Sequence, residues 1–140
     1  MQKICLDAGI LSIYFSKDCS IKVTNLMKEI QRKKYDSNIL KPVLCEAFYH
    51  LCKIEGKENA SIKIISFLRK SPISQIDLEE SLILLTGILK CQHRTTLSYI
   101  DCMSIAFCLN EKAVFHTTEK MIKKIQDYTI QKLKIETYSF

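Results

Sequence analysis

At 140 residues, with 47% hydrophobic and 26% charged residues, the chain has the composition of one globular domain with its own core, and residues 1–140 read as a single unit. No apolar run approaches the roughly 20 residues of a membrane-spanning helix, which excludes a helical membrane protein. A formal net charge of +6 admits a polyanionic partner without requiring one.

Met1-Gln-Lys-Ile-Cys-Leu-Asp7 reaches an acid too early for a secretory leader, so a cytoplasmic location is expected. The run from Lys3 to Asp7 predicts a buried strand, Ala8-Gly9 a turn, and Ile10 to Phe15 a short helix. Residues 19–34 form a helix with Ile21, Leu26, Met27 and Ile30 toward the core and a basic C-terminal end. Asp36-Ser37-Asn38 reads as a turn, after which Ile39-Leu40 opens a second strand. Pro42 starts a helix that runs to about Glu55, with Gly56 as its C-terminal cap.

A helix over about 57–70 stops before Ser71-Pro72, and Ile73 to Ile76 suits a third strand. Asp77 with Glu80 resembles a capping box for a helix reaching about His93, and Ser98 caps an almost wholly apolar helix to Leu109. Ala113 to Thr117 is a strand, 119–130 a polar helix, and Leu133 to Tyr138 a last strand with period-two alternation. Strands separated by helices imply an α/β fold, a three-layer sandwich with a mostly parallel central sheet flanked by helices.

The seven cysteines are odd in number and show no C-x2-C pair, so they read as small structural hydrophobes; Cys91 and His93 lack companions for a zinc site. The clusters Arg32-Lys33-Lys34, Arg69-Lys70 and Lys120, Lys123, Lys124 read as solvated helix faces or ends.

Asp101 is the anomaly. It stands in the first turn of the apolar helix, where a carboxylate loses solvation or faces a compensating positive charge. Sites in parallel α/β folds form at the carboxyl ends of strands. Asp7 ends the first strand, Glu119 follows the strand ending at Thr117, and Glu46 lies in the first turns after strand two. Asp7, Glu46, Asp101 and Glu119 therefore share one edge of the sheet, where mutual repulsion favours a hard divalent cation with oxygen ligands. Each also has an ordinary reading. Asp7 can begin a turn, Glu46 can be solvated beside the Leu44–Phe48–Leu51 stripe, Asp101 can complete a capping box with Ser98, and Glu119 can be first-turn charge.

The ordered set resembles the PIN-domain family, particularly archaeal members like the VapC ribonuclease toxins. Ile4-Cys-Leu-Asp-Ala-Gly-Ile-Leu11 is similar to the opening strand with the first catalytic aspartate, and Val43-Leu-Cys-Glu-Ala-Phe-Tyr49 to the helix carrying the family glutamate. Leu97-Ser-Tyr-Ile-Asp-Cys-Met-Ser-Ile-Ala106 resembles the third-acid motif, a leucine–serine pair followed two residues later by aspartate. Val114-Phe-His-Thr-Thr-Glu119 falls where the family has a strand, a threonine and the fourth acid. The pattern departs in three places: glutamate as the fourth acid, Met121 where many members have aspartate, and Gly9 where asparagine or serine is common.

The resemblance implies a magnesium- or manganese-dependent endoribonuclease. Asp7, Asp101 and Glu119 would hold metal, and Glu46 would complete the cluster and help orient the attacking water. Lys90, Arg94 and Lys120 are candidates for steering RNA, although a solvated face is the stronger reading for each. The resemblance also implies a homodimer and a protein antitoxin seated in an apolar groove; Leu11, Tyr14, Phe15 or Met27 would line it, with core packing their default. The alternative function is a catalytically weakened PIN-like RNA-binding or assembly module, favoured by Glu119 and Met121. A receiver-type signalling domain needs adjacent acids after the first strand, where this chain has Asp7-Ala8.

Overall fold

A strand that returns through a helix re-enters its sheet in the same direction, so alternating short apolar runs and amphipathic helices lead to parallel pairing. The computed structural model describes residues 1–140 and has this architecture. β1 (Lys3–Leu6) leads through α1 (Ala8–Tyr14) and α2 (Ile21–Gln31) to β2 (Asp36–Leu40), which is followed by α3 (Lys41–Glu55) and α4 (Lys57–Lys70). β3 (Ile73–Ile76) leads through α5 (Glu80–Gln92) and α6 (Tyr99–Glu111) to β4 (Val114–Thr117), and α7 (Tyr128–Gln131) precedes β5 (Ile135–Thr137). The five strands lie in the order β3-β2-β1-β4-β5, and every pair is parallel.

Helices flank the sheet. The connections from β1 to β2 to β3 step one way along it, and the return to β4 steps the other way. Right-handed crossovers therefore place α1–α4 and α5–α6 on opposite faces. With both faces covered, the central strand is apolar throughout, and Ile4, Cys5 and Leu6 are fully buried. The apolar helix α6 packs on β1, β4 and β2 with Cys102, Ile105 and Ala106 completely enclosed. Its Ser98 cap forms as expected, the Asp101 N–H donating to Ser98 Oγ at 3.1 Å.

Five local expectations are corrected. Ala8 and Gly9 are the first residues of α1, not a turn, and Ile21 is 80% exposed at the start of α2, not in the core. Asp36, Ser37 and Asn38 are strand, not turn. β2 has a ladder on each side, and Asn38 Nδ2 donates to the carbonyls of Ile4 (3.2 Å) and Asp36 (2.9 Å), so the sheet accommodates a turn-forming side chain. Asp77 is not the N-cap of α5. The cap is Glu79, without a side-chain hydrogen bond, and the Asp77 carboxylate pairs with Lys41 at 2.9 Å.

Residues 119–130 are not one helix. A 3-10 turn spans Ile122–Lys124, and Asp127 recaps the chain for α7 by accepting from Thr129 N at 2.8 Å. Lys120, Lys123 and Lys124 would repel one another at helical spacing, and only Ile122 and Ile130 of this stretch are buried. The cysteines are all free, as expected, although Cys45 and Cys91 lie at the surface. Leu11 and Met27 belong to the core, which follows their default rather than the groove reading.

Candidate functional site

β1 and β4 are adjacent strands whose connections run to opposite sides of the sheet, and such a switch point opens a crevice at the strands' carboxyl ends. Asp7 is the first residue beyond β1 there, and it caps α1, its Oδ1 accepting from Ala8 N at 2.8 Å. Its other oxygen, Oδ2, accepts from Thr117 Oγ1 at 2.7 Å, across from the end of β4. The Thr117 hydroxyl in turn accepts from Glu119 N at 2.9 Å. The strand end thus sets both an acid of β1 and the backbone bearing the next acid.

The two other acids arrive on helices. Glu46, half-buried, sits in the second turn of α3. Asp101 is half-buried in the first turn of α6, which runs antiparallel to β4 and so begins at the same edge. Their electrostatics show that the acids share one locality. Burial raises the Asp7 carboxyl above its ordinary range, the hydrogen bonds from Thr117 and Ala8 oppose this, and the charges of Glu46 and Glu119 add to it. Asp101 is pushed up to about 6 by burial first, then by the charge of Asp7, with Ser98 hydrogen bonding pulling back and Glu119 adding. Glu46 is also raised, by burial and by Asp101, against the opposing influence of His50.

The carboxylates are neighbours rather than a closed cage. No three His, Cys, Asp or Glu side chains stand together tightly enough to ligate one ion directly. The donor chemistry nevertheless fits a hard cation that keeps part of its hydration shell, as magnesium does when it takes one or two carboxylates and several waters. Half-buried acids with raised affinity for protons have the same reason to accept another cation.

No family model matches the chain, and no curated protein matches it. Solved structures do. A VapBC complex of Rickettsia felis, bound to a DNA fragment from its promoter, aligns at a TM-score of 0.75 with 20% identity, covering 99% of this chain and 100% of that one. DNA-bound VapBC of Salmonella typhimurium gives 0.70 and 18% over 98% of each chain. A Mycobacterium tuberculosis VapC toxin that cleaves the sarcin–ricin loop gives 0.63 and 13% over 79% of this chain and 85% of its own.

The fold is the PIN-domain fold. All three organisms are bacteria, so these likenesses lend the archaeal part of the resemblance no support. Within the PIN fold, the departure at Gly9 has a local cause: a Cβ there would overlap the Thr118 side chain, which fills the space beside α1. The departure at Glu119 also has a structural expression. Its Oε1 accepts from Met121 N at 2.8 Å, so the longer side chain folds back to cap its own turn.

The candidate basic residues are differently placed. Lys90 Nζ donates to the carbonyls of Leu97 (2.7 Å) and Arg94 (2.9 Å), closing the turn that launches α6. Arg94 is exposed, with Nε on Cys91 O, and Lys120 is exposed with Nζ on Ser139 Oγ at 2.6 Å. Sequence reading missed His50, one helical turn beyond Glu46, although the i,i+4 spacing marks it. It also could not show that Thr117 would bond Asp7, because the two are 110 residues apart.

Proposed function

We propose that this chain is a metal-dependent endoribonuclease, with Asp7, Asp101 and Glu119 holding Mg2+ or Mn2+ and Glu46 completing the acidic set. The observation carrying the reading is the convergence of these acids at the β1–β4 switch point of a PIN fold. A bound divalent ion supplies Lewis acidity that lowers the pKa of water and offsets charge on the phosphodiester oxygens. Asp7, fixed by Thr117 and Ala8, presents a preorganised carboxylate with little freedom to reorient. Glu46, nearer solvent, would orient the attacking water and take its proton. Arg94 and Lys120 are exposed and would meet the RNA backbone, Lys120 by giving up its contact with Ser139, whereas the Lys90 ammonium is held by two carbonyls.

We further infer a protein antitoxin as partner. The support is the likeness to VapBC complexes and an apolar groove of about 250 Å³ between α1 and α3, lined by Phe15, Ala47, Leu51 and Ile54. A homodimer is proposed on the exposed Ile83, Leu84 and Ile88 of α5, an apolar face without a partner in the monomer. No helix is long and apolar enough to cross a membrane.

A second reading, a catalytically weakened RNA-binding module, is favoured by one observation: Glu119 is turned to Met121 N. Cleavage of single-stranded RNA by antitoxin-free protein with Mn2+, tested beside Asp101→Asn and excess chelator, separates the two. Cleavage lost in both controls supports the nuclease; RNA binding without cleavage or divalent-ion binding selects the module.

A further inference from the structure

Asp101 and Glu119 reach the site beside two pieces of chain that have little core of their own. The turn before α6 leaves Arg94, Thr95 and Thr96 exposed and buries only Leu97. Between Glu119 and Asp127 only Ile122 is buried. Segments anchored this sparsely open easily unless something ties them.

One hydrogen bond ties them to each other. His93 Nε2 donates to Asp127 Oδ2 at 2.8 Å, and no other hydrogen bond or ion pair joins residues 90–101 to residues 118–132. The two side chains are 12% and 22% exposed, so the bond is partly withdrawn from water and screened less than a surface pair. Each partner is itself held. His93 ends α5, its N–H donating to Leu89 O and its carbonyl accepting from Leu97 N at 3.2 Å. Lys90 clamps the same turn through the carbonyls of Arg94 and Leu97, and Ser98 follows directly as the cap for the Asp101 N–H. Asp127 gives its other oxygen to Thr129 N at 2.8 Å, and buried Ile130 anchors the helix it caps. Back along the chain, Ile125 N donates to Ile122 O, Lys124 N to Met121 O, and Met121 N to Glu119 Oε1. Short-range contacts thus run from His93 to Asp101 on one side and from Asp127 toward Glu119 on the other.

The structure assigns His93 a positioning role: its bond to Asp127 holds the segment bearing Glu119 against the turn that launches α6, and so sets the gap between Asp101 and Glu119. The role rests on the metal-dependent reading given above. His93 touches neither ion nor substrate in it and acts only through the chain. A small hard cation such as magnesium demands near-octahedral ligand geometry, so the spacing of two carboxylates that share it bears directly on affinity. A pair serving stability alone would lower the melting temperature when broken and leave ion affinity where it was.

The test is calorimetric titration of the full-length chain with Mn2+ near neutral pH, without RNA, beside NMR amide exchange and thermal melting of the metal-free protein. His93→Phe keeps an aromatic ring and removes the donor. Asp127→Ser keeps an N-cap for α7 but is too short to reach His93. Both should weaken Mn2+ binding about three- to tenfold, at or below the loss for a partner bonded directly to a metal ligand. The Glu119 and Met121 amides should exchange faster in both. His93→Gln places an amide donor where Nε2 stood and should restore most of the affinity. The double variant should bind no more weakly than either single one, because both remove the same bond. Wild-type chain that takes up no Mn2+ overturns the metal reading and this role together. Wild type that binds while His93→Phe and Asp127→Ser bind equally well overturns this role alone, even if the variants melt lower. A His93→Gln chain as weak as His93→Phe does the same.

Discussion

Thr117 and Asp7, 110 residues apart, are joined by a 2.7 Å hydrogen bond from the threonine hydroxyl to a carboxylate that is 7% exposed. The bond is possible because β1 and β4 are parallel neighbours in register, Leu6 opposite His116, so that their carboxyl ends finish side by side. Asp7 thereby gains a charge-assisted partner that offsets part of its desolvation, and Glu119 gains a fixed backbone through the same hydroxyl.

Thr117→Val removes the donor but keeps the volume. It should lower stability by about 1–3 kcal/mol in urea unfolding, since a buried carboxylate loses a partner. RNA cleavage should fall at least tenfold, and Thr117→Ser should restore most of both. Equal loss in the serine variant would show that the methyl group, not the hydroxyl, matters.

The pH dependence of stability follows from Asp101. Its carboxyl is raised from 3.8 to about 6 in the folded chain, so between those values the folded state holds more proton than the unfolded state. Stability is therefore highest at the acid end of this window and declines as pH rises through about 6, by at most about 3 kcal/mol. Asp101→Asn should flatten that decline. Urea midpoints measured from pH 4 to 7 in wild type and variant provide the check.

Divalent ions should oppose that decline if the acids bind them. Mn2+ at about ten to a hundred times its dissociation constant should stabilise the chain near pH 7 by about 1–3 kcal/mol. The increment should shrink in Asp7→Asn and vanish with chelator. Thermal melts read it without reference to any RNA substrate, and an unchanged melting temperature at millimolar Mn2+ would sink the metal assignment.

Gly9→Ser would bring the chain nearer the family pattern, yet it should destabilise by about 1–3 kcal/mol because its Cβ overlaps Thr118. Gly9→Ser combined with Thr118→Gly should recover part of that loss. A double-mutant cycle measures the coupling, and strictly additive effects would contradict it.

The two expected helix caps should behave differently. Ser98→Ala should cost about 1 kcal/mol, because Ser98 Oγ accepts the Asp101 N–H. Asp77→Ala should change stability by less than about 0.5 kcal/mol, since its exposed pair with Lys41 is screened by solvent. Denaturant unfolding of both variants decides this.

Local rules carried much of the fold. The strand at Lys3–Leu6, the helix opened by Pro42, the stop at Ser71-Pro72 and the Ser98 cap depend on residues within a few positions of one another, and all appear where the sequence places them. The same rules misread Asp36-Ser37-Asn38 and residues 119–130. There the outcome depends on a distant strand pairing with β2, or on which isoleucines find a core to bury.

For the site, the sequence by itself determined that Asp7, Glu46, Asp101 and Glu119 belong to one edge of a parallel sheet, because each follows a strand or opens a helix in a βα pattern. Only the tertiary structure decided how they meet. It joined Asp7 to Thr117, turned Glu119 back onto Met121, tied Lys90 to the α6 turn, and enclosed His116 Nε2 without a partner. Those outcomes depend on strand order and side-chain packing between residues far apart in the chain, and such contacts leave no periodic trace in the sequence.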